Sequence, residues 1–278
     1  MSRLDYTIAL FKKLGVEVPE TWSEFIHVCE TIKGQGVSPL GLDNTEPDYN
    51  SYWWYWPVHR TIGHDAAYDI LTTKGAPLDD PGWLQATKMT EELLDKGYFQ
   101  EGFEGSGWPA AQMLFAQGKV AMMLMGAWLP GEVKDAIPDD WVWDSFAFPK
   151  VEGGKGEQDS VAVWTNNICI MKDGPNKEVA VEFLKAWSDR DNMEEGMFGV
   201  AGANTPIKGV SIPAGLVEPY RILGETKHPV DPYFGLLYRE TELYTGGFRP
   251  VIDRLFLGDL RDEAFLEALA EARDSYLK

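Results

Sequence analysis

Apolar residues recur at helical spacing in several stretches of the chain, and start and stop signals bound each stretch. The clearest follows Pro19, where Thr21 and Glu24 have the spacing of a capping box. This pattern predicts a helix that ends near Lys33, before Gly34. The same criteria predict helices over residues 83–96, 109–117, 176–187 and 262–277.

Continuous apolar runs lie between these predicted helices. Residues 119–125 form one such run, which is typical of a strand covered on both faces. Further runs predict strands over residues 37–42, 141–149 and 161–171, and the Gly-rich charged stretch 151–159 is interpreted as a surface loop or hinge. Strands that alternate with helices favour an α/β fold, in which ligands bind at the carboxyl ends of the strands.

Residues 52–56 have the sequence YWWYW, which is followed at once by Pro57. Side chains fan around a helix and alternate across a strand, so we expect that a single core does not take all five rings. Rings at a surface would offer the flat apolar platform with a polar edge that suits a sugar. The alternative is a Trp-rich core with one or two of the rings exposed.

Composition and charge exclude several classes of partner and site. Lys and Arg number 25 against 44 Asp and Glu, and the net charge of −19 opposes binding to nucleic acids and to anionic membranes. No run approaches the roughly 20 apolar residues of a membrane span, and the start has no signal-peptide pattern, so the chain as written is expected in the cytoplasm. The two cysteines, Cys29 and Cys169, are too few for a disulfide scaffold, and Cys29 lies with Trp22 on an apolar helical stripe that we interpret as core. The four histidines show no metal-ligand spacing, so we expect no metal and no cofactor.

Four segments in order carry a resemblance to a known family. They read LFKKLGVEVPETWSEF, LFAQGKVAMMLMGAWLPGEV, FPKVEGGKG and GPNKEVAVEFLKAWSDRDNMEEGMFGVAGANTPIK, and they run from about residue 10 to residue 208. Together they resemble the extracellular solute-binding proteins of carbohydrate ABC importers, of the maltose-binding type. This resemblance implies an α/β fold like that of the type II periplasmic binding proteins.

The resemblance also implies how the chain divides into lobes. Residues 5–163 would form the first part of a nearly complete C-terminal-type lobe, residues 164–216 a fragment of an amino-terminal-type lobe, and residues 217–278 the return to the first lobe. The family's first strands precede the LFKKLG segment, and this sequence does not contain them. We therefore expect an uncovered apolar helix face at Val179, Phe183, Leu184 and Trp187, and either self-association through this incomplete lobe or local mobility of it.

Three aromatic residues are candidates for stacking on a sugar. Trp128 follows the buried strand 119–125, at the position of a stacking aromatic in the family. When Trp56-Pro57 is matched to the Trp-Pro pair of the family, Trp53 falls at the position of a second stacking aromatic. The alternative for Trp53 is packing in the core. Tyr244 matches a third position loosely.

Polar candidates surround these aromatic residues in the sequence. The resemblance places Trp164 and Asn166 where the chain crosses between lobes, and an Asn side chain suits bidentate bonding to hydroxyls. Asn204 lies in a loop of the second lobe. Asp43 and Glu132 are candidate acceptors of hydroxyl hydrogen bonds, although most acidic residues of this chain are expected at the solvated surface.

The resemblance implies a non-catalytic function: binding of a sugar or oligosaccharide and its delivery to the permease subunits of an ABC transporter, in the periplasm or outside the cell. The first alternative is a glycoside hydrolase, which needs two carboxylates held about 5–10 Å apart. No spacing in the sequence singles out such a pair, and no nucleophile-elbow motif is present. The second alternative is a fragment that binds no solute and acts as an interaction module.

Overall fold

A computed structural model of the 278-residue chain gives the fold. The structure describes residues 2–138, 142–163, 167–198, 207–211 and 217–277. In this part of the chain, no helix is both long enough and apolar enough to cross a lipid bilayer.

The described strands form one mixed sheet. They are β1 (Ser2–Thr7), β2 (Ser38–Gly41), β3 (Val120–Gly126), β4 (Trp143–Phe146), β5 (Val161–Ala162) and β6 (Pro229–Val230). Their order is β2-β3-β1-β5-β6, and β4 also pairs with β1. β1 is antiparallel to β3, with Leu4 opposite Leu124, and β2 is parallel to β3. A single residue pair, Ser2 opposite Ala162, joins β1 to β5.

Helices cover both faces of this sheet. The described helices are α1 (Ile8–Leu14), α2 (Trp22–Lys33), α3 (Tyr49–Thr61), α4 (His64–Leu71), α5 (Pro81–Asp95), α6 (Ala110–Ala116), α7 (Leu129–Val133), α8 (Lys177–Trp187), α9 (Arg190–Met193), α10 (Val217–Glu225), α11 (Leu236–Arg239), α12 (Arg249–Phe256) and α13 (Asp262–Tyr276). Single turns of 3-10 or π geometry cover Phe103–Gly105, Glu194–Phe198, Pro232–Gly235 and Leu243–Phe248.

β3 confirms the prediction of a strand covered on both faces. Met122 and Leu124 pack into the main core with α2, α3 and α5. Met123 and Met125 point the other way, into a smaller core formed with α6 and α7. The strand is therefore apolar throughout because each face has its own layer of helices.

Several other predictions are confirmed. The capping box of α2 is present, since the Glu24 backbone N–H donates to the Thr21 hydroxyl at 3.4 Å and the Glu24 carboxylate accepts from the Thr21 N–H at 3.1 Å. α5, α6, α8 and α13 begin and end within two residues of their predicted limits. Trp22 and Cys29 are both buried, and burial raises the pKa of the Cys29 thiol well above its ordinary value.

The predicted strand over residues 161–171 is wrong in extent. Only Val161–Ala162 form a strand, residues 164–166 lie outside the described residues, and residues 167–171 have no regular secondary structure. A strand needs a neighbour to accept its backbone hydrogen bonds, and no described strand lies beside residues 167–171. The apolar pattern alone does not reveal the missing neighbour.

The expectation that some rings of the YWWYW run lie at a surface is also wrong. All five residues are in α3, and all five are buried. The rings make contacts in every direction around the helix: Tyr52 with Tyr233, Trp53 with Phe25 and Phe99, Trp54 with Trp83 and Phe265, Tyr55 with Phe234, and Trp56 with Phe148. A helix enclosed on all sides can be apolar all round, and the sequence reasoning did not allow for that case.

The C-terminal end of α3 anchors the Gly-rich connection 151–159. The buried guanidinium of Arg60 donates to the carbonyl oxygens of Phe148, Glu157 and Ser160 at 3.0, 2.6 and 3.0 Å, and to the Ser160 hydroxyl at 2.6 Å. Burial lowers the pKa of Arg60 to about 10, so the group keeps its charge at neutral pH. These bonds hold the connection against the helix end.

Glycine is required in this connection because its backbone touches the helix end. A Cβ at Gly156 would lie 1.8 Å from the carbonyl oxygen of His59, and a Cβ at Gly154 would lie 2.2 Å from that of Arg60. The Gly156 N–H also donates to the Arg60 carbonyl at 3.1 Å. This close approach is the physical basis of the GGKG motif in this chain.

We expect Gly156→Ala to lower the free energy of unfolding by about 1–3 kcal/mol, because the new methyl group must displace backbone atoms. Gly105→Ala is the matched control, since a Cβ there meets nothing within 4 Å. Urea denaturation followed by circular dichroism measures both changes. Equal stability of the two variants would contradict the packing argument.

His59, beside Arg60, is buried and neutral. Its Nε2 lies 3.1 Å from the Ser160 hydroxyl, and burial together with the charge of Arg60 lowers its pKa to about 3. The Glu157 carboxylate, 4.0 Å from Nδ1, would favour the charged form, yet burial outweighs this attraction. An unfolded chain takes up a proton at this residue near the ordinary value of 6.5, whereas the folded chain does not.

Acid should therefore destabilise the wild type through His59. Between pH 6.5 and pH 3, we expect the free energy of unfolding of the wild type to fall by about 1.4 kcal/mol more per pH unit than that of His59→Gln. The free energy of unfolding, measured in urea at a series of pH values, tests this difference. Exposed His27→Gln is the control and should keep the wild-type slope. If the free energy of unfolding of His59→Gln falls with pH as steeply as that of the wild type, then His59 does not take up a proton on unfolding.

Candidate functional site

The candidate site begins at the carboxyl end of β3. Gly126 ends this strand, and the ring of Trp128 folds back over it, so that a Cβ at Gly126 would lie 2.0 Å from Cζ3 of the ring. Trp128 is half-buried, as is expected for a ring that packs on one side and faces outward on the other. Ala127 contacts Val210 and Tyr220, which come from much later in the chain.

Tyr49, at the start of α3, supports the Trp128 ring. The two side chains are hydrogen-bonded, and both pack on the smaller core. Burial raises the pKa of the Tyr49 hydroxyl, and the nearby Glu132 carboxylate raises it further. The phenol therefore remains protonated and retains a donor at neutral pH.

Glu132, in α7, places a half-buried carboxylate one turn after Trp128. Its Oε1 accepts from the indole N–H of Trp108 at 3.1 Å, and its Oε2 accepts from the Gln112 amide at 3.4 Å. Burial raises the pKa of Glu132, and these two hydrogen bonds oppose the rise. A carboxylate beside half-buried rings is suited to accept hydrogen bonds from the hydroxyls of a sugar whose C–H face stacks on the rings.

The structure does not support Asp43 as an acceptor for a ligand. Asp43 is 0% exposed, and its Oδ1 accepts from the Ser106 hydroxyl at 2.6 Å and from the Ala111 N–H at 2.9 Å. The carboxylate thus holds the segment that leads into α6. Sequence reasoning missed this role because the two partners lie far from Asp43 along the chain.

Trp53 and Tyr244 belong to the core and not to the site. Trp53 is 1% exposed, with Phe25 and Phe99 against its ring. Tyr244 is 2% exposed, and its hydroxyl donates to Asp48 at 3.0 Å. The expectation that these rings stack on a ligand is corrected, because neither ring faces an open surface.

Three other candidates, Trp164, Asn166 and Asn204, lie outside the described residues. Their roles remain expectations from the sequence.

One residue of the site was missed in the sequence. Trp108, just before α6, is 53% exposed, and its indole N–H is bonded to Glu132. The available signal was the SGWP sequence before a short predicted helix, which places a large ring in a turn where core packing is not expected.

An open groove of about 600 Å³ lies away from this site, along Gly15–Val28. Its walls carry aliphatic, acidic and polar side chains, with His27 as the one aromatic ring among them. We therefore place the candidate site at Trp108 and Trp128 and not at this groove. No group of His, Cys, Asp and Glu side chains suited to a metal ion occurs among the described residues.

The chain belongs to the bacterial extracellular solute-binding proteins, since the model of that family matches residues 6–194. Proteins of this family bind solutes and are not enzymes. Among curated relatives, the Multiple sugar-binding protein of Streptococcus mutans serotype c is 27% identical over 221 residues, which is 76% of this chain and 50% of that protein. An uncharacterised ABC transporter extracellular-binding protein of Pyrococcus horikoshii is 30% identical over 151 residues, or 49% of this chain and 31% of that protein.

Solved structures share the fold. A chitin oligosaccharide binding protein superposes with a TM-score of 0.83 and 22% identity, over 99% of this chain and 69% of that one. The solute-binding protein RafE in complex with raffinose gives a TM-score of 0.80 and 19% identity, over 100% of this chain and 71% of that one. The α/β fold is therefore that of the periplasmic solute-binding proteins, and the chain spans about half the length of the curated relatives it matches.

Proposed function

We propose that this chain binds a sugar or oligosaccharide at the carboxyl end of β3 and that the whole protein delivers it to the permease subunits of an ABC transporter, in the periplasm or outside the cell. The observation that carries the proposal is the half-buried ring of Trp128, held over Gly126 and beside Tyr49. Glu132 lies one turn after Trp128, and its carboxylate is close to the Tyr49 hydroxyl that is bonded to Trp128. No cofactor takes part.

The comparisons support the class of ligand. The names of the relatives and neighbours mention sugars, chitin oligosaccharide and raffinose. An excess of acidic residues agrees with a neutral ligand, because the net charge of −19 repels anions. In the proposed arrangement, residues 5–163 and 217–278 form one lobe and residues 164–216 part of another, and the site lies on the first lobe.

The site does not favour a glycoside hydrolase. Glu132 has the raised pKa that is expected of a general acid, but Asp43, the carboxylate whose charge acts on it, is buried and engaged by Ser106 and Ala111. A second carboxylate must reach the sugar in either hydrolytic mechanism, and Glu46, at the turn of Trp108, is bonded to the backbone N–H of that residue. Binding without turnover is therefore the proposed activity.

Titration calorimetry against raffinose, stachyose, chitin oligosaccharides and fragments of xylan tests the proposal, since similar solved structures are named for raffinose, stachyose, chitin oligosaccharide and xylan. We expect at least one of them to bind and to be recovered unchanged. Trp128→Ala should weaken that binding on the order of 10- to 100-fold, because base stacking on an aromatic ring contributes about 1–3 kcal/mol and we take sugar stacking as similar.

Trp83→Phe is a control for loss of a tryptophan in the core, since Trp83 packs against Trp54 away from this site. It should keep the wild-type affinity. Failure of every sugar to bind the wild type would reject the proposed function, and sustained release of reducing ends would favour the hydrolase.

We also propose that the chain associates with itself through the apolar face of α8. Val179, Phe183 and Trp187 are exposed there, and Phe183 and Trp187 lie in ring contact at 5.8 Å. Apolar surface gains about 25 cal/mol for each Å² removed from water, so a second copy that covers this face stabilises both copies.

Analytical ultracentrifugation should show concentration-dependent association of the wild type and a weaker association of Phe183→Glu, because the charge cannot be buried in an apolar interface. Tyr238→Glu, a matched change of an exposed ring on α11, should behave as the wild type. A wild type that stays monomeric at every concentration would rule out this association.

A further inference from the structure

Trp108 differs from the other tryptophans that the structure describes. The rings of Trp22, Trp53, Trp54, Trp56 and Trp83 are buried, and Trp128 is half-buried. Trp187 is exposed, but it lies on the uncovered face of α8. Trp108 is 53% exposed and yet is hydrogen-bonded through its ring. A ring that is already fixed loses less rotamer freedom when it binds a ligand, so Trp108 is suited to a binding role.

The segment around Trp108 is fixed on both sides. Asp43 accepts hydrogen bonds from Ser106 and from Ala111, which flank the tryptophan. The backbone N–H and the hydroxyl of Thr45 both donate to the Ser106 carbonyl at 3.0 Å. The turn that carries the ring is therefore bound to the segment that precedes α3.

Two carboxylates bind Trp108, one at its backbone and one at its ring. Glu46 accepts from the backbone N–H of Trp108 at 3.2 Å, and Glu132 accepts from its indole N–H at 3.1 Å. Glu132 is one turn after Trp128 in the chain, and its backbone N–H donates to the Trp128 carbonyl at 3.2 Å. Glu132 thus connects the turn of Trp108 to the turn of Trp128, and both carboxylates bonded to Trp108 are acidic groups close to the ring.

We propose that Trp108 is a second stacking surface of the sugar site, that Glu132 is its positioning residue through the indole N–H, and that the pair selects neutral oligosaccharides long enough to reach both rings. This inference rests on the proposed function. Two rings on separate elements suit two sugar units, because one pyranose covers about one indole. The surrounding carboxylates, Glu46 and Glu132, repel uronic acids and do not repel neutral sugars.

Calorimetry on the full chain tests the role of Trp108, with raffinose and stachyose as a series of increasing length and with oligogalacturonate as the acidic probe. We expect Trp108→Ala to weaken binding of the longer neutral sugar, stachyose, on the order of 10- to 100-fold. Binding of the shorter sugar, raffinose, should weaken by less. Oligogalacturonate should bind neither the wild type nor Trp108→Ala. Tyr238→Ala is the control, since Tyr238 is also an exposed aromatic residue, at 57%, and it should leave both affinities unchanged.

A double-mutant cycle tests the positioning role of Glu132. Trp108→Phe keeps an aromatic ring and loses the N–H, and Glu132→Met loses the acceptor at similar size. If Glu132 acts through Trp108, each single change weakens binding, and the double variant is no weaker than the more damaging of the two. If the losses of affinity in the two single variants multiply in the double variant, then Glu132 contacts the sugar directly. This result would overturn the positioning role.

The outcomes also separate this inference from the proposed function. Binding that survives Trp108→Ala unchanged but is lost in Trp128→Ala would reject the inference and leave the proposed function intact. Binding of oligogalacturonate as tightly as the neutral sugars would reject the selection for neutral ligands. Absence of binding by the wild type, with a near-ultraviolet circular dichroism spectrum that shows folded protein, would reject both.

Discussion

The packing of α3 on all sides is the constraint on which the other elements depend. α5, α12, β3 and the turn Pro232–Gly235 all lie against this helix, and its side chains fill the space between them. Five large rings in succession supply a large apolar area, so the helix gains most of its stability from contacts and little from its own sequence preference. The termini of α3 then fix two loops, one at each end of the helix.

The two ends of α3 hold different segments of the chain. At its start, Tyr49 bonds to Trp128, and the preceding residues Asp43, Thr45 and Glu46 hold the turn that carries Trp108. At its end, Arg60 binds the Gly-rich connection. The candidate site therefore lies at the N-terminus of a buried helix and on the loop that precedes it. Binding side chains commonly lie on loops that a rigid scaffold positions.

Much of the fold followed from local patterns, because capping signals and apolar runs act over a few residues. The limits of α2, the burial of β3 on both faces and the position of Trp128 after β3 were all within reach of the sequence. The environment of an individual ring could not be predicted from the sequence. Trp53 is in the core because Phe25 and Phe99 flank it, and Asp43 is unavailable because Ser106 and Ala111 engage it. Such partners are distant in the chain, so periodicity carries no information about them.

The attachment of both loops to one helix has a mechanical consequence. Tyr49 and Arg60 are three turns apart on α3, so any rotation of this helix would carry the ring surface and the connection 151–159 with it. Beyond Ser160 the sheet is held by fewer hydrogen bonds, because β5 is two residues long and meets β1 at one residue pair. Less free energy therefore opposes distortion of the short ribbon of β5 and β6 than distortion of the long pairing between β1 and β3.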